Sequence, residues 1–95
     1  MYKPINKPEK ICKITGMTEG LHKHHVFGGK NRSLSEKYNL YVYLRPYYHN
    51  MSSLGVHFDK KFDDELKREY QMLFELVNGK GSFIKVFGRN YLEVA

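Results

Sequence analysis

The chain has 95 residues, of which 41% are hydrophobic, and it has no apolar run of membrane-spanning length, so disordered and membrane-spanning classes are excluded. Its one cysteine, Cys12, excludes an internal disulfide and a zinc cage made only of thiolates from one chain. The net charge is +6, and all of the excess lies in residues 1–58, where nine Lys and Arg face three acids, whereas residues 59–95 hold seven of each.

The first predicted elements are an extended arm and a short strand. Residues 1–10 carry Pro4 and Pro8 among lysines, and proline suits neither a regular helix nor a central strand, so we expect an extended arm. Residues 11–15, with the sequence ICKIT, predict a short strand that enters a glycine-containing turn. The first residues lack the hydrophobic segment of a signal peptide, so we expect a cytoplasmic protein with no membrane partner.

Residues 21–27 predict a second strand, because their side chains suit a two-residue alternation. Such a strand places Lys23 and His25 on one face and His24 and Val26 on the other. A double glycine follows and ends the strand.

The next segment predicts a helical turn and a third strand. Ser33 is followed three residues later by Glu36, which is the capping-box pattern at the start of a helix. Residues 39–45, NLYVYLR, predict a strand with its three aliphatic side chains on one face and its two tyrosines on the other.

The rest of the chain predicts helices. A short helix follows Pro46 and ends at Gly55, and residues 59–78 form a long helix with Asp59 as its N-cap and Gly79 at its end. The apolar stripe of the long helix packs as core or forms part of a homodimer interface. The stripe comprises Phe62, Leu66, Tyr70, Leu73, Leu76 and Val77.

A last short helix is predicted over residues 82–87, with Ser82 as its cap and Gly88 as its stop. Together the elements predict an α+β fold in a single domain of residues 1–95. Its three parts are an arm of residues 1–10, a strand-containing part of residues 11–58, and a helical part of residues 59–95.

The histidines are the candidates for chemistry. His24 and His25 are neighbours on one predicted strand, so their imidazoles point to opposite faces and suit different roles. Imidazole is both a metal ligand and a general base near neutral pH. Phosphodiester hydrolysis needs a base that activates water and a cation with two or three ligands. His25 is therefore a candidate base, and His24 with His49, joined by His57, are candidate ligands. We interpret His22 as an ordinary polar residue.

Three stretches, LHKHHVFGG, RSLSEKYNLYVYLRP and HNMSSLGVHF, resemble in this order the HNH branch of the His-Me finger nucleases, in particular small HNH proteins of bacteriophages of Gram-positive bacteria. The resemblance covers residues 12–58 and, more weakly, extends to Leu92. It implies a small ββα-metal (His-Me finger) core with an N-terminal arm and a long C-terminal helix. It also implies hydrolysis of DNA with one divalent metal ion, namely Mg²⁺, Mn²⁺, Ni²⁺ or Zn²⁺.

Position by position, the resemblance implies that His24 and His49 are metal ligands and that His25 is the general base. Family members often supply a further ligand on the helix that carries the last histidine. His57 is the first candidate for this ligand here, and Asn50 is the second.

The resemblance also assigns Asn39 to the central asparagine, which braces the loop between the two strands and so orients the base. Many relatives carry two CxxC pairs that hold a structural zinc. Here the first pair keeps Cys12 but has Thr15 at its second position, and no cysteine stands near Arg45 or Tyr48. We therefore expect the structural zinc to be absent and tyrosine packing to replace part of its stabilisation.

Three functions stay open. The first is a DNA endonuclease or nickase acting on duplex or branched DNA. The second is a catalytically inactive HNH-like protein that binds nucleic acid or is a phage-encoded inhibitor of another protein, and the third is a metal-binding structural domain. The basic charge around the histidines favours a nucleic acid partner, although ordinary solubility charge explains it equally well. The predicted phosphate contacts are Lys23, Lys30, Arg32, Lys37 and Arg45.

Overall fold

The computed structural model describes residues 1–49 and 59–92, which form an α+β fold with a two-stranded antiparallel sheet. The predicted helix stop Gly55 and the candidate ligands Asn50 and His57 lie outside the described residues. None of the helices within the described ranges has the length and apolar character needed to cross a bilayer. The elements in chain order are β1 (His22–His25), a 3-10 turn (Gly29–Asn31), α1 (Arg32–Lys37), β2 (Tyr41–Leu44), α2 (Pro46–His49), α3 (Lys60–Asn78) and α4 (Ser82–Phe87).

The two strands keep the alternation of faces that the sequence predicts, and they pair with each other in an antiparallel sheet. In the register of the sheet, His24 lies opposite Val42 and His25 lies opposite Tyr41. His24 and Val42 are both buried, so the inner face of β1 is the one that carries His24. The outer face carries Lys23 and His25, each of which packs near the Tyr41 ring.

The strand predicted over residues 11–15 is wrong. Only Cys12 forms a bridge, a parallel one with Tyr43, and the chain then turns. The turn closes because the Gly16 amide donates to the Cys12 carbonyl oxygen over 2.9 Å, and Gly16 has a φ of 75°. Glycine tolerates this left-handed backbone, which a strand does not contain.

The capping box at Ser33 is also wrong. The chain already turns at Gly29, and α1 begins at Arg32, so Ser33 lies inside the helix and Asn31 takes the N-cap position. The Glu36 side chain points to β1 rather than to the start of its own helix.

The bounds predicted for the long helix are confirmed. Asp59 caps α3 by accepting a hydrogen bond from the Phe62 amide over 3.1 Å, and Gly79 ends it with a φ of 100°. The prediction of its buried face is partly wrong. Leu66 and Tyr70 are buried as expected, but Leu76 and Val77 are exposed. The buried position in that part of the helix is Phe74.

An aromatic core joins the C-terminal helices to the strand-containing part of the chain. The Phe83 and Phe87 rings stack with centroids 4.3 Å apart, and Phe27, which follows β1, lies 4.8 Å from Phe83. Tyr38 and Phe74 meet edge to face at 5.2 Å. The apolar face of α3 therefore packs as core, because its buried residues belong to this same cluster.

The short helix α4 keeps its predicted extent, but its cap differs. Gly81, in a left-handed conformation, precedes the helix, whereas Ser82 is its first residue and donates its hydroxyl to the Gly79 carbonyl oxygen over 2.6 Å. Gly88 ends the helix in a left-handed conformation, as predicted.

The N-terminal arm contains no helix or named strand, and it is held by hydrogen bonds to its backbone and by the packing of Tyr2 and Ile5 against the core. The Asn78 side chain accepts from the Lys3 amide over 2.6 Å and donates to the Lys3 carbonyl oxygen over 2.8 Å. The backbone amide of Ile5 donates to the Tyr38 carbonyl oxygen, and the side-chain amide of Asn39 donates to the Ile5 carbonyl oxygen over 2.8 Å. The arm thus spans the end of α3 and the turn before β2.

Candidate active site

The adjacent histidines of β1 occupy different environments. His24 exposes only 8% of its surface and lies on the inner face of the sheet, opposite Val42. His25 lies on the outer face, where its side chain is 14% exposed. The division predicted from strand alternation is therefore confirmed for the positions of the two side chains. A buried imidazole and a partly accessible imidazole suit different chemical roles.

Glu36 contacts His25 from the neighbouring helix. The Nε2 atom of His25 lies 2.7 Å from Oε1 of Glu36. The same carboxylate accepts from Nζ of Lys23, at 3.2 Å from Oε1 and 3.4 Å from Oε2. Nζ of Lys23 also lies 4.2 Å from the centroid of the Tyr41 ring. We call His25, Glu36, Lys23 and Tyr41 the Glu36 cluster.

The charges in the Glu36 cluster support one another. The hydrogen bond with His25, followed by the one with Lys23, lowers the pKa of Glu36 below its usual range. The hydrogen bond to Glu36 in turn raises the pKa of Lys23. Glu36 is therefore a carboxylate, and Lys23 an ammonium, at neutral pH. Because both groups are exposed to water, this pairing orients side chains more than it stabilises the fold.

An open cavity of about 500 Å³ adjoins His25. Its lining comprises His25, Gly29, Arg32, Ser33 and Glu36. The volume lies within the usual range for small-molecule sites. An arginine and a serine hydroxyl supply hydrogen-bond donors of the kind that bind phosphate oxygens. The cavity therefore brings a positive charge and a hydroxyl group close to His25.

The predicted metal ligands are only partly described. His24 lies on β1, and His49 is the last residue of α2, which contacts β1 and β2. His57 lies beyond the described ranges. Among the side chains that the structure describes, which exclude those of residues 48 and 49, three or more His, Cys, Asp or Glu groups do not converge on a common point. The ligand set of His24, His49 and His57 stays a prediction.

Asn39 has a clear structural position but a different contact from the one that the resemblance implies. Its φ of 64° places it in the left-handed region, where the chain leaves α1 and turns toward β2. Its side-chain amide binds the carbonyl oxygen of Ile5 in the arm. The predicted role of Asn39 in orienting the base stays a prediction.

The five predicted phosphate contacts divide into two groups. Lys30, Arg32 and Lys37 are exposed on the 3-10 turn and α1, and Arg32 lines the cavity. Lys23 is paired with Glu36, and Nη1 of Arg45 donates to the carbonyl oxygen of Glu19 over 2.9 Å. The turn and α1 therefore present the most accessible positive charge near His25.

Ser35 is a buried residue of the site region that sequence analysis missed. Its hydroxyl oxygen accepts from the Phe27 amide over 3.1 Å, and the hydroxyl donates to the Phe27 carbonyl oxygen over 2.8 Å. These two bonds fix the chain beyond β1 to α1. No local sequence signal marks a serine that pairs with a backbone eight residues away.

Cys12 is buried and accepts hydrogen bonds from two separate segments of backbone. Its sulfur accepts hydrogen bonds from the backbone amides of Thr15, at 3.5 Å, and Arg45, at 3.4 Å. Burial raises the pKa of the Cys12 thiol, but the hydrogen bonds from Thr15 and Arg45 together lower this pKa by a larger amount. The net shift of the pKa is therefore downward. The sulfur thus links the turn after Cys12 to the residue that follows β2.

No family model, curated protein or solved structure matches this chain. The support for a function therefore comes from the side chains around His25.

Proposed function

We propose that the protein is a metal-dependent DNA endonuclease or nickase in which His25 is the general base. One observation carries the proposal: His25 is hydrogen-bonded to Glu36 at 2.7 Å and lines an open cavity beside Arg32 and Ser33. A general base needs an oriented imidazole, access for water and a place for the substrate. All three are present on the outer face of β1.

The cavity residues suit the hydrolysis of a phosphodiester. His25 takes a proton from a water molecule, and the water oxygen attacks phosphorus as the bond to the leaving oxygen breaks. Arg32 contacts the non-bridging oxygens, on which negative charge accumulates. The positive charge of the turn and α1 binds the flanking phosphates with little sequence preference.

A divalent metal ion, when bound, would supply charge stabilisation at the leaving oxygen. His24, His49 and His57 are the residues that would hold it. A set of imidazole ligands suits Zn²⁺, Ni²⁺ or Mn²⁺ better than Mg²⁺, which prefers oxygen ligands. We therefore expect Mg²⁺ to be the weakest activator of the four ions.

Metal removal tests the proposal directly. We expect the purified protein to convert supercoiled plasmid to nicked or linear forms with at least one of Ni²⁺, Zn²⁺, Mn²⁺ and Mg²⁺. A chelator should reduce the rate by about 100-fold or more, because the metal contributes several kcal/mol of charge stabilisation. Gel electrophoresis of time courses measures both rates. An intact plasmid with all four ions would rule out the endonuclease.

The salt dependence of binding tests the interface around α1. In a chelator, the double variant Lys30→Ala and Arg32→Ala should bind duplex DNA more weakly than the wild-type protein. The slope of log K against log salt should become shallower by about 1.8, because each phosphate contact contributes about 0.9. Fluorescence anisotropy at several salt concentrations measures this slope.

The matched control for this experiment removes two lysines from the electrically neutral half of the chain. Lys80 and Lys85 are both exposed, and neither lies on the turn or α1. The Lys80→Ala and Lys85→Ala double variant should keep the wild-type slope. Equal slopes for the two double variants would show that the turn and α1 do not form the DNA interface.

A second candidate is a catalytically inactive HNH-like protein that binds nucleic acid or inhibits another protein. The observation that favours it is the exposure of Met72 and Leu76, at 60% and 83%, one helical turn apart on α3. Neighbouring exposed apolar side chains are typical of protein-binding surfaces, including homodimer interfaces. DNA binding without cleavage in any metal would favour this candidate over the nuclease.

A further inference from the structure

We infer that Glu36 is the positioning residue for the base: it accepts the Nε2 proton of His25 and leaves Nδ1 as the nitrogen that takes a proton from water. This inference rests on the proposed function and adds to it. It names a residue that the HNH resemblance does not assign and specifies which atom of His25 reacts.

The tautomer follows from the chemistry of the two partners. An ionised carboxylate can only accept hydrogen bonds, and a neutral imidazole carries one donor nitrogen and one acceptor nitrogen. At 2.7 Å from Oε1 of Glu36, Nε2 must therefore be the donor. The lone pair that accepts a proton is then on Nδ1.

The position of Glu36 is fixed from both sides. Lys23 binds the same carboxylate, and its ammonium also lies over the Tyr41 ring, so the carboxylate is held beside the outer face of the sheet. The neighbouring residue Ser35 is fully buried and bonded twice to Phe27. These bonds fix α1 relative to β1, and with it the separation of Glu36 and His25.

The same contact supports the proton-transfer step. The water proton moves to Nδ1, the water oxygen bonds to phosphorus, and the phosphorus–leaving-oxygen bond breaks, with the leaving oxygen taking a proton from solvent. His25 then carries a positive charge, which the Glu36 carboxylate stabilises through Nε2. Glu36 thus acts through His25 and need not touch the substrate.

The tautomer is measured by long-range ¹H–¹⁵N NMR on protein labelled with ¹⁵N-histidine, at a pH well above the ordinary imidazole pKa of about 6.5. The His25 signals are assigned by their loss in His25→Ala. We expect the Nε2–H form in the wild-type protein and a larger Nδ1–H fraction in Glu36→Ala. In Glu36→Gln the amide oxygen still accepts, so we expect the Nε2–H form to be retained.

Cleavage rates of the same variants test the link to the reaction. We expect Glu36→Ala to lower kcat by about 10- to 100-fold, the size of effect usual for a group that orients a reactive residue, with KM changed by less than about twofold. Glu36→Gln should be intermediate, because it keeps the hydrogen bond and loses the charge. The Glu36 side chain is 54% exposed, so neither change disturbs the core.

Glu69→Ala is the matched control, because it removes a glutamate that forms a similar exposed ion pair, with Lys13 at 2.8 Å, away from His25. It should match the wild-type protein in tautomer and rate. An Nδ1–H form in the wild-type protein, or Glu36→Ala with the wild-type tautomer and rate, would overturn the inference. The expected tautomers in a protein that cleaves no plasmid would support the positioning by Glu36 and overturn the nuclease alone.

Discussion

Replacing His25 by alanine is expected to reduce plasmid nicking by about 100- to 10,000-fold, the range over which general bases contribute to catalysis. DNA binding in a chelator should change by less than about twofold, because the phosphate contacts proposed for Lys30, Arg32 and Lys37 lie on the turn and α1. The fold should be retained, because the imidazole lies on the outer face of the sheet, away from the aromatic core. Initial rates of nicking and anisotropy titrations measure the two effects.

His22→Ala is the control for this prediction, because it makes the same change on the same strand. His22 is exposed at the start of β1 and does not line the cavity beside His25. It should nick at close to the wild-type rate. Nicking by His25→Ala at the wild-type rate would show that another group activates the water.

Replacing Phe74 by alanine is expected to lower the free energy of unfolding by about 3–5 kcal/mol, as is usual for a fully buried phenylalanine. The Phe74 ring is 0% exposed and meets Tyr38, Phe83, Phe87 and Tyr2 at centroid distances of 5.2 to 6.1 Å. Truncation leaves a cavity between α3 and the strand-containing part. Small domains have only about 5–15 kcal/mol of total stability, so a large share is lost.

Urea denaturation followed by circular dichroism measures the loss, with Met72→Ala as the control on the same helix. Met72 is 60% exposed, so its truncation should change the free energy of unfolding by no more than about 0.5 kcal/mol. A loss below about 1 kcal/mol for Phe74→Ala would contradict the aromatic core described above.

The elements that the sequence predicted well are those with local signals. The alternation in residues 21–27 predicted that His24 and His25 lie on opposite faces of β1, because strand geometry alone decides it. The bounds of α3 followed from Asp59 and Gly79, which act on the helix ends nearest to them. Tertiary contacts were not needed for either prediction.

In α3 the periodicity of apolar residues is not enough to predict which side chains are buried. Residues 73–77 read LFELV, so a helix offers more than one apolar stripe there. The predicted stripe ran through Leu76 and Val77, but the contacts with Phe83 and Phe87 select Phe74. Those rings come from a separate helix, and their position is set by the tertiary fold.

The contacts of Glu36 in the site also depend on the tertiary fold. Its spacing from Ser33 indicated a capping box, a contact within one helix. In the fold its carboxylate binds His25 and Lys23 instead, because β1 lies beside α1. The candidate base was predictable from its neighbours in the sequence, whereas its hydrogen-bond partner was visible only in three dimensions.

The attachment of the arm has a consequence for how the chain assembles. The arm binds Asn78 at the end of α3 and the backbone of Tyr38 before β2. Between these two residues the chain forms β2, α2 and α3. The surface that binds the arm is therefore made of two regions of the chain, and it forms only when both regions are already in place. The main chain of Lys3 and Ile5 forms the hydrogen bonds, and the side chains of Tyr2 and Ile5 pack against the core, so docking depends on both the path of the arm and its apolar residues. We therefore expect the arm to bind only after α3 and the turn before β2 have folded.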